Sequence, residues 1–271
     1  MSTSRRTTRG RGFGIDIGGS GIKGAPVDLR TGEFVGERMR IPTPSPSTPE
    51  AVAPVVAEIV QSFGRAAGRH PIGVTFPAVI QHGVARTAAN VDKSWIGVDV
   101  DAVLTERLHR QVHVVNDADA AGLAEARYGA ARGVIGTVIV CTLGTGIGSA
   151  LLRDGRLVPN TELGHLEIDG RDAEVRAAES AREREDLSWE QWAERLQRYF
   201  SAVEDLLWPD LIVVGGGVSK KHEKFLPLLD LRTPVVPATL RNGAGTVRVI
   251  AGRFEGIAGA SDNPAKALTS A

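Results

Sequence analysis

The sequence predicts an α/β protein of two related halves, each built on its own sheet, with a cleft between them. Two observations carry this. A short apolar strand, a glycine loop and a second strand occur first in "FGIDIGGSGIKG" (Phe13–Gly24) and again, about 130 residues on, in "VIGTVIVCTLGTGIGSALL" (Val134–Leu152). Around these repeats, apolar runs of strand length alternate with longer stretches of helical periodicity. Composition agrees: 271 residues, 42% of them hydrophobic and 24% charged, supply core enough for one large domain or two modest ones.

Taken in order, Phe13–Ile17 reads as a buried strand. Gly21–Leu29 and Phe34–Ile41 read as further strands joined by a turn at "RTGE". The proline-rich stretch Pro42–Glu50 is a loop leading into a helix capped near Thr48, with helical periodicity over Glu50–Ala67 and a stop at Gly68. Ile72–Phe76 is a strand ended by Pro77, Asp101–Arg110 a short helix and Val112–Val115 a short buried strand. "NDADAAGLAEARYG" opens with helix-start residues and runs through good helix formers to Gly129. Asp172–Arg184 and Ser188–Leu207 are helical; in the second, Trp189, Trp192, Leu196, Phe200 and Val203 form a stripe that reads as core or subunit contact. "DLIVVGGGVSK" is a buried strand running into a third glycine loop ahead of a helix.

Several classes are disfavoured. With 32 basic and 32 acidic residues the net charge is zero, which gives nucleic-acid binding no support. No apolar run approaches the roughly 18 residues of a membrane span. "MSTSRRTTRGRG" is basic with no apolar segment behind it, so it reads as a disordered tail over residues 1–12 and not as a secretory signal. Cys141, the single cysteine, rules out an internal disulfide and a zinc site of several thiolates, and the cytoplasm is the expected compartment.

The glycine loops point to phosphate. A Walker A loop fails because Ser20 and Gly21 stand where Lys and Ser/Thr belong. Gly19, Gly21 and Gly24 match the dinucleotide spacing, but Ala25-Pro26-Val27 continues as a strand where that motif opens a helix. A hairpin turn at Gly18-Gly19-Ser20 fits better: it aims N–H groups and a hydroxyl at a phosphate. Asp16 at the strand end would then meet Mg²⁺ or its waters, and Lys23 would reach back to the phosphate chain. Thr142, Gly144, Thr145 and Gly146 form a second such hairpin, and Gly215, Gly216 and Gly217 a third loop at a helix start.

The order Asp-x-Gly-Gly-Ser, Asn-Asp, Leu-Gly-Thr-Gly-Ile-Gly, Glu-Leu-Gly-His, Gly-Gly-Gly resembles the sugar kinases of the ROK family, in the actin-like ATPase superfamily, from Phe13 to about Phe254. "NTELGHLEIDGRDAE" is most similar to the polyphosphate glucokinase branch. The resemblance implies a two-lobed actin-like (ribonuclease H-like) fold with the active site in the interlobe cleft. Residues 13–117 would form the N-terminal lobe and 118–245 the C-terminal lobe, with 246–271 a helix packing back on the first. It implies transfer of the terminal phosphoryl of polyphosphate, with ATP as a second donor, to the 6-hydroxyl of glucose, and a homodimer.

By position Asp117 is as much a helix cap as a catalytic acid; the family match makes it the general base. Asp119 reads as a first-turn acid favoured by the helix dipole. By resemblance Asn90, Asn116, Glu162 and His165 join Asp117 at the sugar, and Glu174 is carried over as a further contact. Many family members follow that histidine with a cysteine-rich zinc site; this chain lacks those cysteines, so zinc is not expected and His165 must be oriented otherwise. Glu167 and Asp169 read as loop-stabilising, and Lys23, Lys93, Lys220, Lys221 and Arg241 as a basic path for a polyanion. An ATP-dependent hexokinase for glucose, mannose, fructose or N-acetylated sugars is the alternative, and a non-catalytic sugar-binding module is the alternative of another class. Sugar-responsive repressors share the fold, but the dozen residues ahead of the first strand are too few for a helix-turn-helix domain.

Overall fold

The computed structural model describes residues 10–68 and 72–240. They form two compact units that divide between Asn116 and Asp117. The expected tail over residues 1–9, Arg241 and the expected helix in 246–271 lie outside the described residues. Arg11 and Gly12 do not belong to a tail: they begin the first strand.

The first unit contains β1 (Arg11–Gly18), β2 (Gly21–Asp28), β3 (Glu33–Phe34), β4 (Met39–Ile41), α1 (Pro49–Ser62), β5 (Ile72–Phe76), β6 (Ile80–Gln81), β7 (Val84–Ala85), α2 (Val100–Leu108) and β8 (Val112–Asn116). The sheet order is β3-β2-β1-β5-β8, with β4 also on β2. β1 and β2 form an antiparallel hairpin, while β1, β5 and β8 run parallel. All five residues of β5 are buried, as a parallel strand covered on both faces should be. Gly24 lets α1 lie close on the sheet, because a Cβ there would come 2.5 Å from the Ile59 side chain.

The expected strand Phe34–Ile41 is two pieces, because Gly36 takes φ +100 and turns the chain between them. The first helix ends at Ser62, not Ala67: Gly64 has φ +48, and a 3₁₀ turn replaces the last α turn. Thr48 holds the N-cap position but makes no side-chain capping bond; Pro49, pre-set for helical φ, starts the helix. The start of α2 has its cap in Asp99, whose carboxylate accepts the Ala102 N–H at 2.9 Å.

The second unit contains α3 (Asp117–Tyr128), β9 (Thr137–Leu143), β10 (Ile147–Arg153), β11 (Arg156–Val158), β12 (Glu167–Ile168), β13 (Arg171–Asp172), α4 (Ala173–Ala177), α5 (Glu179–Arg184), α6 (Trp189–Leu207), β14 (Leu211–Gly215) and β15 (Val235–Pro237). Its main sheet runs β11-β10-β9-β14-β15. The hairpin β9–β10 is antiparallel, and β14 lies parallel to both β9 and β15. This repeats the order and directions of β3-β2-β1-β5-β8, so the sequence repeat is a repeat of topology.

The stripe on α6 is core: Trp192, Leu196, Phe200 and Val203 are buried in one cluster with Ile139, Ile212 and Val214. Each such side chain contributes about 1.5–3 kcal/mol relative to exposure. A capping box between Ser188 and Gln191 starts this helix. The expected helix Asp172–Arg184 is broken at Ala178, whose ψ of 157 is extended and separates α4 from α5. The segment after β14, Gly217–Lys224, is 3₁₀ and not α, with non-helical dihedrals at Lys221. No helix among the described residues is long and apolar enough to cross a membrane.

Candidate active site

In the first unit, Gly18 and Gly21 pair across the hairpin and leave Gly19-Ser20 as a two-residue turn. The turn is pressed against Asn90: a Cβ on Gly19 would come 2.8 Å from the Asn90 carbonyl oxygen and 2.9 Å from its Cβ. Asn90 reaches that position from an exposed loop, with φ +58. One sugar candidate and the first glycine turn thus share a place. Asp16 lies beside them, its side chain 18% exposed. Its Oδ1 accepts the Thr75 hydroxyl at 2.9 Å, and its Oδ2 lies 3.2 Å from Lys23 Nζ. Lys23 is therefore engaged by Asp16 as well as near the turn. Thr75 escapes sequence reading because its partnership follows from parallel register alone.

At the end of β8, Asn116 is buried and its Nδ2 donates to the Ala78 carbonyl at 3.0 Å, which ties that strand to the segment after β5. Asp117 follows as the first residue of α3, exposed, with Oδ1 accepting the Ala118 N–H at 2.9 Å. Negative charge at this helix position is favoured by the dipole. Asp119 stands in the first turn of α3, as expected, but it is buried there. It is 2% exposed, and its Oδ2 accepts the Asn160 N–H at 2.9 Å. Burial pushes its carboxyl up to about 7, with the Asn160 bond opposing and the charges of Glu162 and Asp117 adding. It is a first-turn acid that also serves as a buried strut between α3 and the loop that carries Glu162.

The second glycine turn is Gly144-Thr145-Gly146, closed by the Gly144 N–H donating to the Gly146 carbonyl at 3.0 Å. Ser180 holds it from α5: its N–H donates to Gly144 at 3.0 Å and its hydroxyl to the Thr145 carbonyl at 2.6 Å. Glu174 holds the other side, accepting the Ile147 N–H at 3.0 Å; a Cβ on Gly146 would overlap its carboxylate. Gly216 has φ +89 and sits so close to Leu143 that a Cβ would overlap the Leu143 carbonyl. A Cβ on Gly215 would come 3.5 Å from the Thr142 methyl. The second and third loops, with Thr142, Thr145, Gly215, Gly216 and the following Gly217, are thus one assembly.

The segment Glu162–His165 is strapped to β10, where Ser149 Oγ accepts the Leu163 N–H at 2.9 Å and donates to the Thr161 carbonyl. His165 Nδ1 lies 2.8 Å from Asp172 Oδ2, 3.9 Å from Glu174 Oε1, and its Nε2 is 4.0 Å from Glu162 Oε2. The Asp172 hydrogen bond, joined by the Glu174, Asp172 and Glu162 charges against partial burial, raises the imidazole pKa. Burial raises the Glu162 carboxyl, with His165 opposing and Glu174 adding. Asp172 therefore orients the histidine that the sequence left without a partner. It was missed, yet a signal existed. Asp169-Gly170 is a hairpin pair, with φ +55 and +72, and the hairpin brings Asp172 back opposite Glu167.

His165, Asp172 and Glu174 each place one ligand atom within 4.8 Å of the others, a set able to hold a cation without thiolates. The missing cysteines therefore bear only on a thiolate zinc site. Asp169 behaves as expected of a loop acid, bonded to Arg198 at 2.8 and 3.2 Å. Of the residues expected to form a basic path, Lys93, Lys220 and Lys221 are exposed, and Lys221 lies 5.8 Å over the Trp189 ring.

The ROK family model matches residues 12–176, so the chain belongs to the ROK family. Its fold is that of the actin-like ROK sugar kinases. Over 246 residues it is 54% identical to a polyphosphate glucokinase of Mycobacterium tuberculosis (strain CDC 1551 / Oshkosh), spanning 90% of this chain and 92% of that one. The crystal structure of an inorganic polyphosphate/ATP-glucomannokinase from Arthrobacter sp. strain KM matches with TM-score 0.83 and 61% identity, over 89% of this chain and 96% of that one. A ROK family glucokinase from Streptomyces griseus, in complex with glucose and AMPPNP, shares the fold at TM-score 0.74 and 21% identity, over 89% and 98% of the two chains.

Proposed function

We propose that the chain transfers the terminal phosphoryl group of inorganic polyphosphate, and of ATP as a second donor, to the 6-hydroxyl of glucose. The observation that carries this is the match over nine-tenths of the chain to a polyphosphate glucokinase. The name of the Arthrobacter neighbour, a glucomannokinase, favours mannose as a second acceptor.

In this reading Asn90, Asn116, Glu162 and His165 hold the sugar, with Glu174 bracing the second glycine turn beside them. Asp117, the first residue of α3, accepts the 6-hydroxyl proton as that oxygen attacks the terminal phosphorus in line. The new O–P bond forms, the bridging P–O bond breaks, and the shortened donor leaves with the electron pair. The proton on Asp117 then passes to water. Gly18, Gly19, Ser20 and the loops Thr142–Gly146 and Gly215–Gly217 supply N–H groups and hydroxyls to the phosphates. Asp16 fits a water-mediated cation: both oxygens already accept one donor and each keeps a lone pair. Mg²⁺ there would neutralise charge on the donor phosphates. Residues 13–117 and 118–245 would be the two lobes of the kinase, in a homodimer working in the cytoplasm.

The test is glucose 6-phosphate formation by purified protein with Mg²⁺, with polyphosphate and ATP compared at matched terminal phosphate. Turnover with polyphosphate is expected. Turnover with ATP alone would withdraw the polyphosphate donor. No product from either would leave a kinase for another sugar, or the binding-module alternative.

A further inference from the structure

Four side chains stand in one row across the first sheet. Thr75 on β5, Asp16 on β1, Lys23 on β2 and Arg40 on β4 are register partners in turn. Paired residues on neighbouring strands project from the same face, and Gly21, two residues before Lys23, shares that face. Three of the four satisfy one another, since Asp16 takes the Thr75 hydroxyl at 2.9 Å and the Lys23 ammonium at 3.2 Å.

Arg40 is different. It is exposed, and no carboxylate among the described residues pairs with it. Its Nη2 donates to the Ser20 carbonyl at 2.7 Å, which pins the guanidinium to the first glycine turn. The group lies over Gly21, where a Cβ would come 2.6 Å from Nε and 2.8 Å from Cζ. Gly21 thus makes the space in which the cation sits. With Lys23 balanced by Asp16, the row carries one surplus positive charge, held by its backbone contact beside N–H groups that suit phosphate. A guanidinium has five donors in a planar fork that matches phosphate oxygens, and one bond to Ser20 leaves most of them available.

We propose that Arg40 is a contact for the phosphoryl donor, holding a phosphate of the inorganic polyphosphate chain beside the Gly19-Ser20 turn through its charge. This rests on the kinase reading above and names the residue that gives the first turn its affinity for a polyanion. Lys23, nearer in sequence to the turn, is already paired with Asp16, while Arg40 arrives from a separate strand.

The experiment compares Arg40→Gln, Arg40→Lys and Gly21→Ala with the wild type. Glutamine keeps an amide able to donate to Ser20 but removes the charge; lysine keeps the charge without the fork. Alanine at Gly21 displaces the guanidinium without removing it. Loss of a charge-assisted phosphate contact is worth about one factor of ten. The KM for polyphosphate should rise about tenfold in Arg40→Gln, recover in part in Arg40→Lys and shift in the same direction in Gly21→Ala. The KM for glucose should stay unchanged. Added KCl should weaken polyphosphate use more steeply in the wild type than in Arg40→Gln, because screening acts on the charge. A wild-type polyphosphate KM in Arg40→Gln would overturn the proposal. So would equal impairment of the glutamine and lysine variants, or a parallel rise in the glucose KM, since these mark a structural clamp. Calorimetric titration with polyphosphate reads the same comparison without turnover. A protein that phosphorylates no sugar would therefore count against the kinase reading while still deciding Arg40.

Discussion

His165 Nδ1 stands 2.8 Å from the Asp172 carboxylate, and that contact orients the ring of the segment proposed to meet the sugar. With Nδ1 committed, Nε2 is the nitrogen left to face a ligand. Asp172 also caps α4, accepting the Glu174 N–H at 3.2 Å, so it links the histidine to the acid bracing the second glycine turn.

Asp172→Asn should lower the His165 pKa, because the hydrogen bond to Asp172 is the largest cause that raises it. The proton held by folded His165 contributes stability below the unfolded value of about 6.5 and loses it as pH rises through the raised folded value. NMR titration should show a raised imidazole pKa in the wild type and a lower one in the variant. The glucose KM should rise about tenfold, as for loss of a bond to a charged group, with the donor KM unchanged.

Asp119 predicts a pH dependence of stability. Its folded pKa of about 7 exceeds the ordinary carboxyl value of 3.8, so the folded state holds a proton there that the unfolded chain releases. That contribution is complete below the unfolded value and is lost as pH rises through about 7. Asp119→Asn still offers an oxygen to the Asn160 N–H but carries no charge. It should raise Tm at pH 8 and flatten the decline between pH 5 and 8, by about 4 kcal/mol at most. An unchanged profile would remove Asp119 as its source.

Gly216→Ala meets two penalties, a left-handed φ of +89 and overlap with the Leu143 carbonyl. Each costs about 1–3 kcal/mol, so a clear drop in Tm is expected. Because the third loop is packed on the second, donor KM should rise in whatever fraction stays folded. Thermal melts and donor titrations check this.

Chelation separates the two cation readings. EDTA should abolish turnover and Mg²⁺ restore it, as expected if Asp16 serves a water-mediated ion. A zinc-selective chelator should leave activity intact; inactivation reversed by zinc would show that His165, Asp172 and Glu174 hold a structural metal.

The repeat of hairpin and glycine loop was legible because period-two apolar runs ending in glycine survive in one dimension, and it returned as two sheets of identical strand order. The start of α3 at Asp117 was legible from its helix-start residues. What stayed hidden was set by register and tertiary contact. Thr75 beside Asp16 and Arg40 beside Lys23 follow from strand pairing between distant segments. Asp119 sits in a helix start like any dipole-favoured acid, and only the packing of the Asn160 loop shows it buried. The break at Ala178 and the split at Gly36 are backbone choices that periodicity does not record.

The most direct test of the account is Asp117→Asn, assayed for glucose binding by calorimetry and for glucose 6-phosphate formation with polyphosphate. Asparagine keeps the size and the oxygen that accepts the Ala118 N–H but cannot take a proton from the 6-hydroxyl. Glucose affinity within about threefold of wild type, with turnover lower by a factor of about 10²–10⁴, is the predicted result. Turnover equal to wild type would contradict the assignment of Asp117 as the base.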